Sequence, residues 1–350
     1  MKLRTNAARE SGSTMRLSAP GEVRIGPLRA LPAVLRECGV EPGRAFARAG
    51  VEPRLFDDAE SRLPFESLSR LLDICSRLTG CAHFGLAVGE RFELQAFGPL
   101  GELMRNCPTL GDALHGLLHN LYLQDHAATV LLLKVETARV LLGYSIYRHG
   151  SAAALHVLDA AIAVGYRLLA ELGGARWQPV RVQFAHGRPR NVEAFRAVFG
   201  PNLLFNAEVS GIVFDADWLG QGIEGADATL HARLSQALRD AESASAVRFS
   251  DRVQSVLHQM LLGSEISAAA VARHFGLHER SLRRRLAAEG ESLQQLVGRT
   301  RFELARQLLR NTGLRVTQIG LALGYEDANA FSRAFRGWAQ CSPTQWRAGA

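Results

Sequence analysis

The sequence predicts an α+β N-terminal domain followed by an all-α C-terminal domain in which two helix-turn-helix units are joined by a linker helix. Three observations carry this prediction. Charge is segregated: residues 247–350 hold fifteen Arg, no Lys and eight acidic residues, so the whole net charge of +7 resides there, whereas residues 1–246 carry 26 charges of each sign. Within residues 247–350, a pattern of apolar residues and a turn glycine recurs at an offset of 48 to 49 positions. Residues 128–147, by contrast, read as two strands rich in Val, Leu and Tyr, and a long Ala/Leu run follows them.

Residues 1–24 are polar and rich in Ser, Gly and Arg, and are expected to form a disordered tail; Met15 offers a second possible start. From Leu28 the apolar spacing predicts helices over Leu28–Cys38, Pro42–Ala49 and Phe65–Leu78, with further apolar stretches through Leu121. Ala128–Val135 and Arg139–Tyr147 are predicted to pair as a hairpin turned at Glu136-Thr137. Ser151–Leu172 then reads as a long helix ended by Gly173-Gly174. Val180–Ala185 and Gly211–Phe214 read as short strands, and a helix near Asp227–Ala241 leads into a linker at Glu242–Ala246. The expected domains are therefore 25–241 and 247–350.

In the second domain Ser267 is placed to cap a helix over Ala268–Phe275, because its hydroxyl can accept from the unsatisfied amides of the first turn. Gly276 turns the chain into a second helix over Glu279–Glu289, closed by Gly290. At about 100° per residue, Leu282 and Leu286 share an inward face. Arg280 and Arg284 fall opposite, with Arg283 on the flank. Arg forks onto guanine O6/N7 or onto phosphate, so this is the face a major groove would take. A solvated basic surface helix would fit the same residues.

The repeat favours the first reading. Val316–Leu323 supplies a helix, Gly324 a turn, and Asp327–Ala339 a second helix. Val271/Ile319, Phe275/Leu323 and Gly276/Gly324 match at an offset of 48, and Leu282/Phe331 and Leu286/Phe335 at 49. Under this offset Arg280 falls on Asn329, Arg283 on Ser332 and Arg284 on Arg333; Asn329 and Arg333 lie opposite Phe331 and Phe335, with Arg336 beside them, and Asn pairs with adenine as Arg does with guanine. Between the units, Ser292–Arg310 reads as a helix with Leu293, Val297, Leu304 and Leu308 on its apolar side. Nineteen residues at ~1.5 Å each span about 28 Å, close to the ~34 Å turn of B-DNA. One chain could thus reach two successive major grooves.

Composition bounds the remaining possibilities. At 350 residues with 47 % hydrophobic content, two ordinary globular domains are expected. No run approaches ~18 apolar residues and no signal peptide is visible, so a cytoplasmic protein without membrane contact is expected. Cys38, Cys75, Cys81, Cys107 and Cys341 form no close pair and read as reduced thiols serving mostly in packing. Arg supplies 39 of the 41 basic residues, but it dominates the neutral half too, which favours coding bias over a specific phosphate role.

Ile319–Arg347 resembles the signature of AraC-type (AraC/XylS family) transcriptional regulators. The residues that carry the likeness are Gly324-Tyr325, Phe331-Ser332-Arg333-x-Phe335, Ser342-Pro343 and Trp346-Arg347, supported upstream by Arg301, Ala305 and Leu308-Leu309. Gln340 departs from the family, which usually has Gly there. The resemblance implies base contacts from Arg280, Arg283, Arg284, Asn329, Ser332 and Arg333, and a phosphate contact from Arg336. Residues 28–238 more loosely resemble the arabinose-binding-like N-terminal domain of one branch of that family. Phe84-Gly85-Leu86-Ala87, Phe97-Gly98-Pro99-Leu100, Thr109–Leu114, Val182-x-Phe184-x-His186 and Phe199-Gly200 carry that likeness. It implies an effector-binding or dimerising role without naming a sugar as ligand.

Other chemistry finds little support. His115 and His119 lie one turn apart near Cys107 and His126, a spacing zinc could use, but it fits ordinary half-buried histidines better. A DNA-repair methyl-acceptor enzyme sharing this module would need paired cysteines and a Pro-Cys-His context, and neither occurs. Asp57-Asp58 and Asp215-x-Asp217 sit in turn-like contexts. No nucleophile elbow, phosphate loop or H-E-x-x-H pair is present. The expectation is a non-enzyme without cofactor or metal: a sequence-specific regulator, leaning to activation. Double-stranded DNA and RNA polymerase are the expected partners, with a small-molecule effector and a homodimer both possible. A ligand-independent dimeric regulator and a low-specificity nucleoid-type binder remain as alternatives.

Overall fold

The structure is a computed structural model and describes residues 22–120, 128–136, 138–146, 153–243, 248–261 and 266–348. The expected tail at 1–21, the turn residue Thr137, and Tyr147, Ser151 and Ala244–Ala246 lie outside the described residues.

The chain enters as β1 (Glu22–Arg24), which pairs antiparallel with β2 (Arg62–Pro64). This corrects the expectation of a tail running to residue 24. Arg24 is only 2 % exposed, and its guanidinium bonds the partly exposed Glu60 and donates to the Ala96 carbonyl (2.7 Å), so a strand with two charged residues is held in place by its third. Between the two strands lie α1 (Leu31–Glu37) and α2 (Pro42–Ala49). The first starts three residues later than expected because Pro27 sets a separate 3₁₀ turn over Gly26–Leu28, while Pro32 fits the opening turn of α1, where no amide partner is needed.

Next come α3 (Phe65–Thr79), α4 (Phe84–Gly89), α5 (Pro99–Arg105) and α6 (Leu110–Asn120). The hairpin β3 (Ala128–Glu136) and β4 (Arg139–Ile146) follows, then the long α7 (Ala153–Gly173). β5 (Arg181–Gln183), α8 (Val192–Phe199), β6 (Leu203–Leu204) and β7 (Ser210–Asp215) lead to α9 (Ala228–Ser243). The sheet runs β3-β4-β7-β5-β6, antiparallel except for β5-β6. Helix α9 continues two residues into the segment expected to be linker.

Side chains alternate across this sheet, as pleating requires. Val130, Val140, Leu142, Ile212 and Phe214 belong to the core beneath α7, whereas Leu131, Leu141 and Val213 belong to a different cluster on the opposite face. Helix α4 lies against α7 with no room for side chains, since a Cβ at Gly85 would come within 1.9 Å of the His156 carbonyl oxygen. Buried Asp159 accepts from His186 at 3.0 Å, beside a cluster of Phe184, Phe195 and Phe205.

The C-terminal half is all helical: α10 (Phe249–Met260), α11 (Ala268–His274), α12 (Glu279–Ala288), α13 (Leu293–Asn311), α14 (Val316–Ala322), α15 (Ala328–Ala339) and α16 (Pro343–Ala348). Helix α13 is the spine. Its first half packs with α10, α11 and α12 through Leu296, and its second half with α14 and α15 through Leu304, Ala305, Leu308 and Leu309. Leu293 and Val297, expected inward, are only half-buried; Leu296 and Thr300 take the core positions between them. No described helix is long and apolar enough to cross a membrane.

Candidate nucleic-acid interface

Two short helices can present a flat basic face only if their ends and turns are tightly defined. At the first unit, Ser267 Oγ accepts from the Ala270 amide (3.1 Å) and opens α11. Gly276 takes φ +60°, a left-handed conformation that glycine adopts without a Cβ clash, and directs the chain into α12. At the second, Asp327 caps α15 by accepting from the Ala330 amide (2.7 Å), and Gly324 turns at φ +74°. Ser292 and Gln295 form a reciprocal capping box at the start of α13.

Each reading helix is anchored by one face. Leu282 and Leu286 of α12, and Phe331 and Phe335 of α15, are completely buried. Arg280, Arg283 and Arg284 are exposed on α12; Asn329, Arg333 and Arg336 are exposed on α15, with Ser332 half-buried. Arg283 Nη2 lies 3.4 Å from Glu279 one turn back, an exposed pair that a phosphate or base edge could replace at little cost. Among the described residues, Arg280, Arg284, Arg333 and Arg336 form no ion pair. The seven residues singled out in the sequence thus divide between two helices: Arg280, Arg284, Asn329 and Arg333 lie away from the anchors, and Arg283, Ser332 and Arg336 on the flanks.

Sequence reasoning passed over several residues that shape these faces. Arg285, adjacent to the basic trio, sits over the Phe249 ring at 5.6 Å and braces α12 against α10. Glu289 accepts from the amides of Phe249 (2.9 Å) and Ser250 (2.8 Å), capping α10 from the end of α12. Hydrogen bonding from Ser250 foremost, with the Phe249 amide and the Arg248 charge adding to it, holds the Glu289 carboxyl below its ordinary value despite burial. At the far end, Arg347 donates to the carbonyls of Leu309 (3.1 Å) and Leu314 (2.7 Å), tying α16 to the end of α13. Arg301 stacks on Tyr325 at 4.8 Å, which explains the aromatic residue after the turn glycine.

The other candidate chemistry resolves into structural contacts. His115 Nδ1 is 2.8 Å from the Gly111 carbonyl one turn earlier, while the His119 side chain and His126 lie outside the described residues. Burial pushes the thiols of Cys75 and Cys107 up to about 12, half-buried Cys81 packs against the same core as Cys75, Cys341 is half-buried and Cys38 is exposed. Asp58 accepts from the Glu60 amide (2.9 Å), a local turn contact.

Comparisons with known proteins find matches to both halves of the chain. Residues 39–223, more than half of the chain, match the family described as "Arabinose-binding domain of AraC transcription regulator", and residues 271–349 match a helix-turn-helix domain family. The HTH-type transcriptional regulator VirS of Mycobacterium tuberculosis is 28 % identical over 317 residues, covering 90 % of this chain and 93 % of VirS. The ornithine utilization regulator of Pseudomonas aeruginosa is 28 % identical over 329 residues, covering 93 % and 96 %. The transcriptional activator NphR of Rhodococcus sp is 31 % identical over 120 residues, 34 % of this chain and 36 % of NphR. These relatives are regulators rather than enzymes. With two capped helix-turn-helix units on one spine and a matching N-terminal domain, the chain belongs to the AraC family of DNA-binding transcription regulators.

Proposed function

We propose that the protein reads two successive major grooves of a promoter, with Arg280, Arg283 and Arg284 of α12 in one and Asn329, Ser332 and Arg333 of α15 in the next. Arg336 neutralises a phosphate. The observation that carries this reading is the exposure of Arg280, Arg284, Asn329 and Arg333 on helices whose other faces carry fully buried anchors, held at the two ends of one 19-residue spine. Residues 25–241 serve as the effector or dimerisation domain, joined through 242–246 to the DNA-binding module of 247–350. The protein works in the cytoplasm with its DNA and RNA polymerase, and the named activator NphR supports a lean towards activation.

Selection of bound duplexes from a random library by the full-length protein tests this reading. Two unequal half-motifs about ten base pairs apart are expected. Repeated copies of the pair would add a homodimer. A single half-motif would sink the two-groove reading, and unselective retention of all duplexes would point to nucleoid-type binding. Within the selected site, Arg333→Ala should cost about 1–3 kcal/mol and relax preference at one or two positions. An equal loss on every sequence would reassign Arg333 to phosphate.

A further inference from the structure

The N-terminal domain holds a partly open cavity of about 110 Å³ between its sheet and α7. Val130, Leu142 and Ile212 of the sheet face it from one side, Ala161 and Leu168 of α7 from another, and Phe97 from a third. Protein cores are packed as densely as organic crystals, and a void of this size forfeits dispersion contacts along its whole lining. It is therefore a feature that needs a reason.

We propose that this cavity is the effector site, that its ligand is a small uncharged apolar molecule of about one aromatic ring, and that the sheet transmits its presence to the DNA-binding module. The proposal rests on the reading of residues 25–241 as an effector domain and gives that domain its ligand class.

The lining sets the chemistry. Its walls are mostly carbon; the polar side chains among its lining residues are those of Tyr144 and of Arg24, whose guanidinium is engaged by Glu60 and by the Ala96 carbonyl. A sugar or a charged amino acid placed here would exchange water for hydrocarbon at most of its hydroxyls or at its charges, with few compensating partners. The matched family takes its description from arabinose, but these walls suit an apolar ligand. The volume sets the size. An apolar cavity of about 150 Å³ stays dry and admits benzene, so about 110 Å³ holds a group no larger than a single ring or a short branched chain.

The sheet supplies the coupling. Leu142 and Ile212 face the cavity, while their neighbours Leu141 and Val213, one residue along the same strands, face the other way. There they pack with Leu304, Leu308 and Leu314 at the end of α13 and the approach to α14. On the same side, the Glu208 carbonyl accepts from the Gly313 amide (2.7 Å) and its carboxylate from Gln318 Nε2 (3.1 Å). A second route passes through α6, whose Leu117 lines the cavity and which also touches α10, beside the first helix-turn-helix unit. A ligand that shifts these strands or α6 therefore acts on both reading helices.

The test uses the purified full-length protein with toluene as probe and L-arabinose and L-ornithine as polar controls. Toluene at ten times its dissociation constant should raise the melting temperature by roughly 2–5 °C, and the controls should not. Ala161→Phe, which fills the cavity, should abolish that rise. Leu142→Ala, which enlarges it, should melt lower than wild type and respond more strongly to toluene. Toluene should also change affinity for the selected duplex at least about fivefold in wild type, and not in Ala161→Phe. Absence of a toluene response in both wild type and Leu142→Ala, or an arabinose or ornithine response removed by Ala161→Phe, would overturn the ligand class. A melting shift with unchanged duplex affinity would overturn the coupling. Duplex binding measured without toluene tests the regulator reading alone, so the two can fail separately.

Discussion

Gln340 closes α15 at φ +58°, a conformation that L-residues adopt at a cost because Cβ crowds the following carbonyl. Its side chain offsets part of that cost by donating to the Gly337 carbonyl (3.2 Å). This is the position at which the sequence departs from its family, and the backbone explains why Gly is usual there. Gln340→Gly should therefore stabilise the protein by about 0.5–1 kcal/mol, read as a higher urea midpoint; a lower midpoint would show that the side-chain bond outweighs the strain. Glu289 makes the complementary case for charge. Its carboxyl is held below the ordinary value in the folded state, chiefly by Ser250. The stability it adds is thus present above about pH 4.5 and is lost as pH falls through the folded value. Melting temperatures followed from pH 6 to pH 3 should fall less steeply for Glu289→Gln than for wild type, and parallel curves would show that Glu289 is not a source of the acid sensitivity.

Between elements, the two helix-turn-helix units solve one packing problem with different residues. Leu282 in the first unit is matched by Phe331 in the second, and the facing Ala272 is matched by Gly320. The larger ring is accommodated by removing a methyl: a Cβ at Gly320 would meet Phe331 Cβ at 3.1 Å and Cγ at 3.3 Å. Gly320→Val should then cost about 1–3 kcal/mol by overpacking and should tilt α15 rather than α12. Footprinting should show weakened protection at one half-site and retained protection at the other; uniform weakening would mean that the units do not move independently. The elements most legible in the sequence were those whose signals are local. Pro42–Ala49 appears with the expected ends, and α11, α12, α14 and α15 differ from expectation by a residue at most. The strand Glu22–Arg24 was not legible, because it is held by a partner forty residues away and by an ion pair that no periodicity announces.

Over the whole molecule, the N-terminal domain and the helix-turn-helix module share one apolar cluster instead of hanging from a linker. Leu131, Leu141 and Val213 of the sheet join Leu304, Leu308 and Phe335 of the module in it. The corner between α13 and α14 approaches so closely that a Cβ at Gly313 would lie 3.2 Å from Glu208 Cα. Gly313→Val should push the two halves apart, costing about 1–3 kcal/mol and splitting a single calorimetric transition into two. A single transition at unchanged temperature would show that the contact adjusts freely. The sequence by itself determined the domain order, the confinement of net charge to the module, the tandem repeat and the faces on which its Arg and Asn residues stand. Those properties follow from helix periodicity, capping chemistry and turn glycines, which act over a few residues. Only the tertiary structure decided that the outer face of the sheet seats the module, that Arg24 is buried against Glu60, and that a cavity remains under α7. These depend on which distant surfaces meet, and alternation along a strand tells only that both of its faces are covered, not by what.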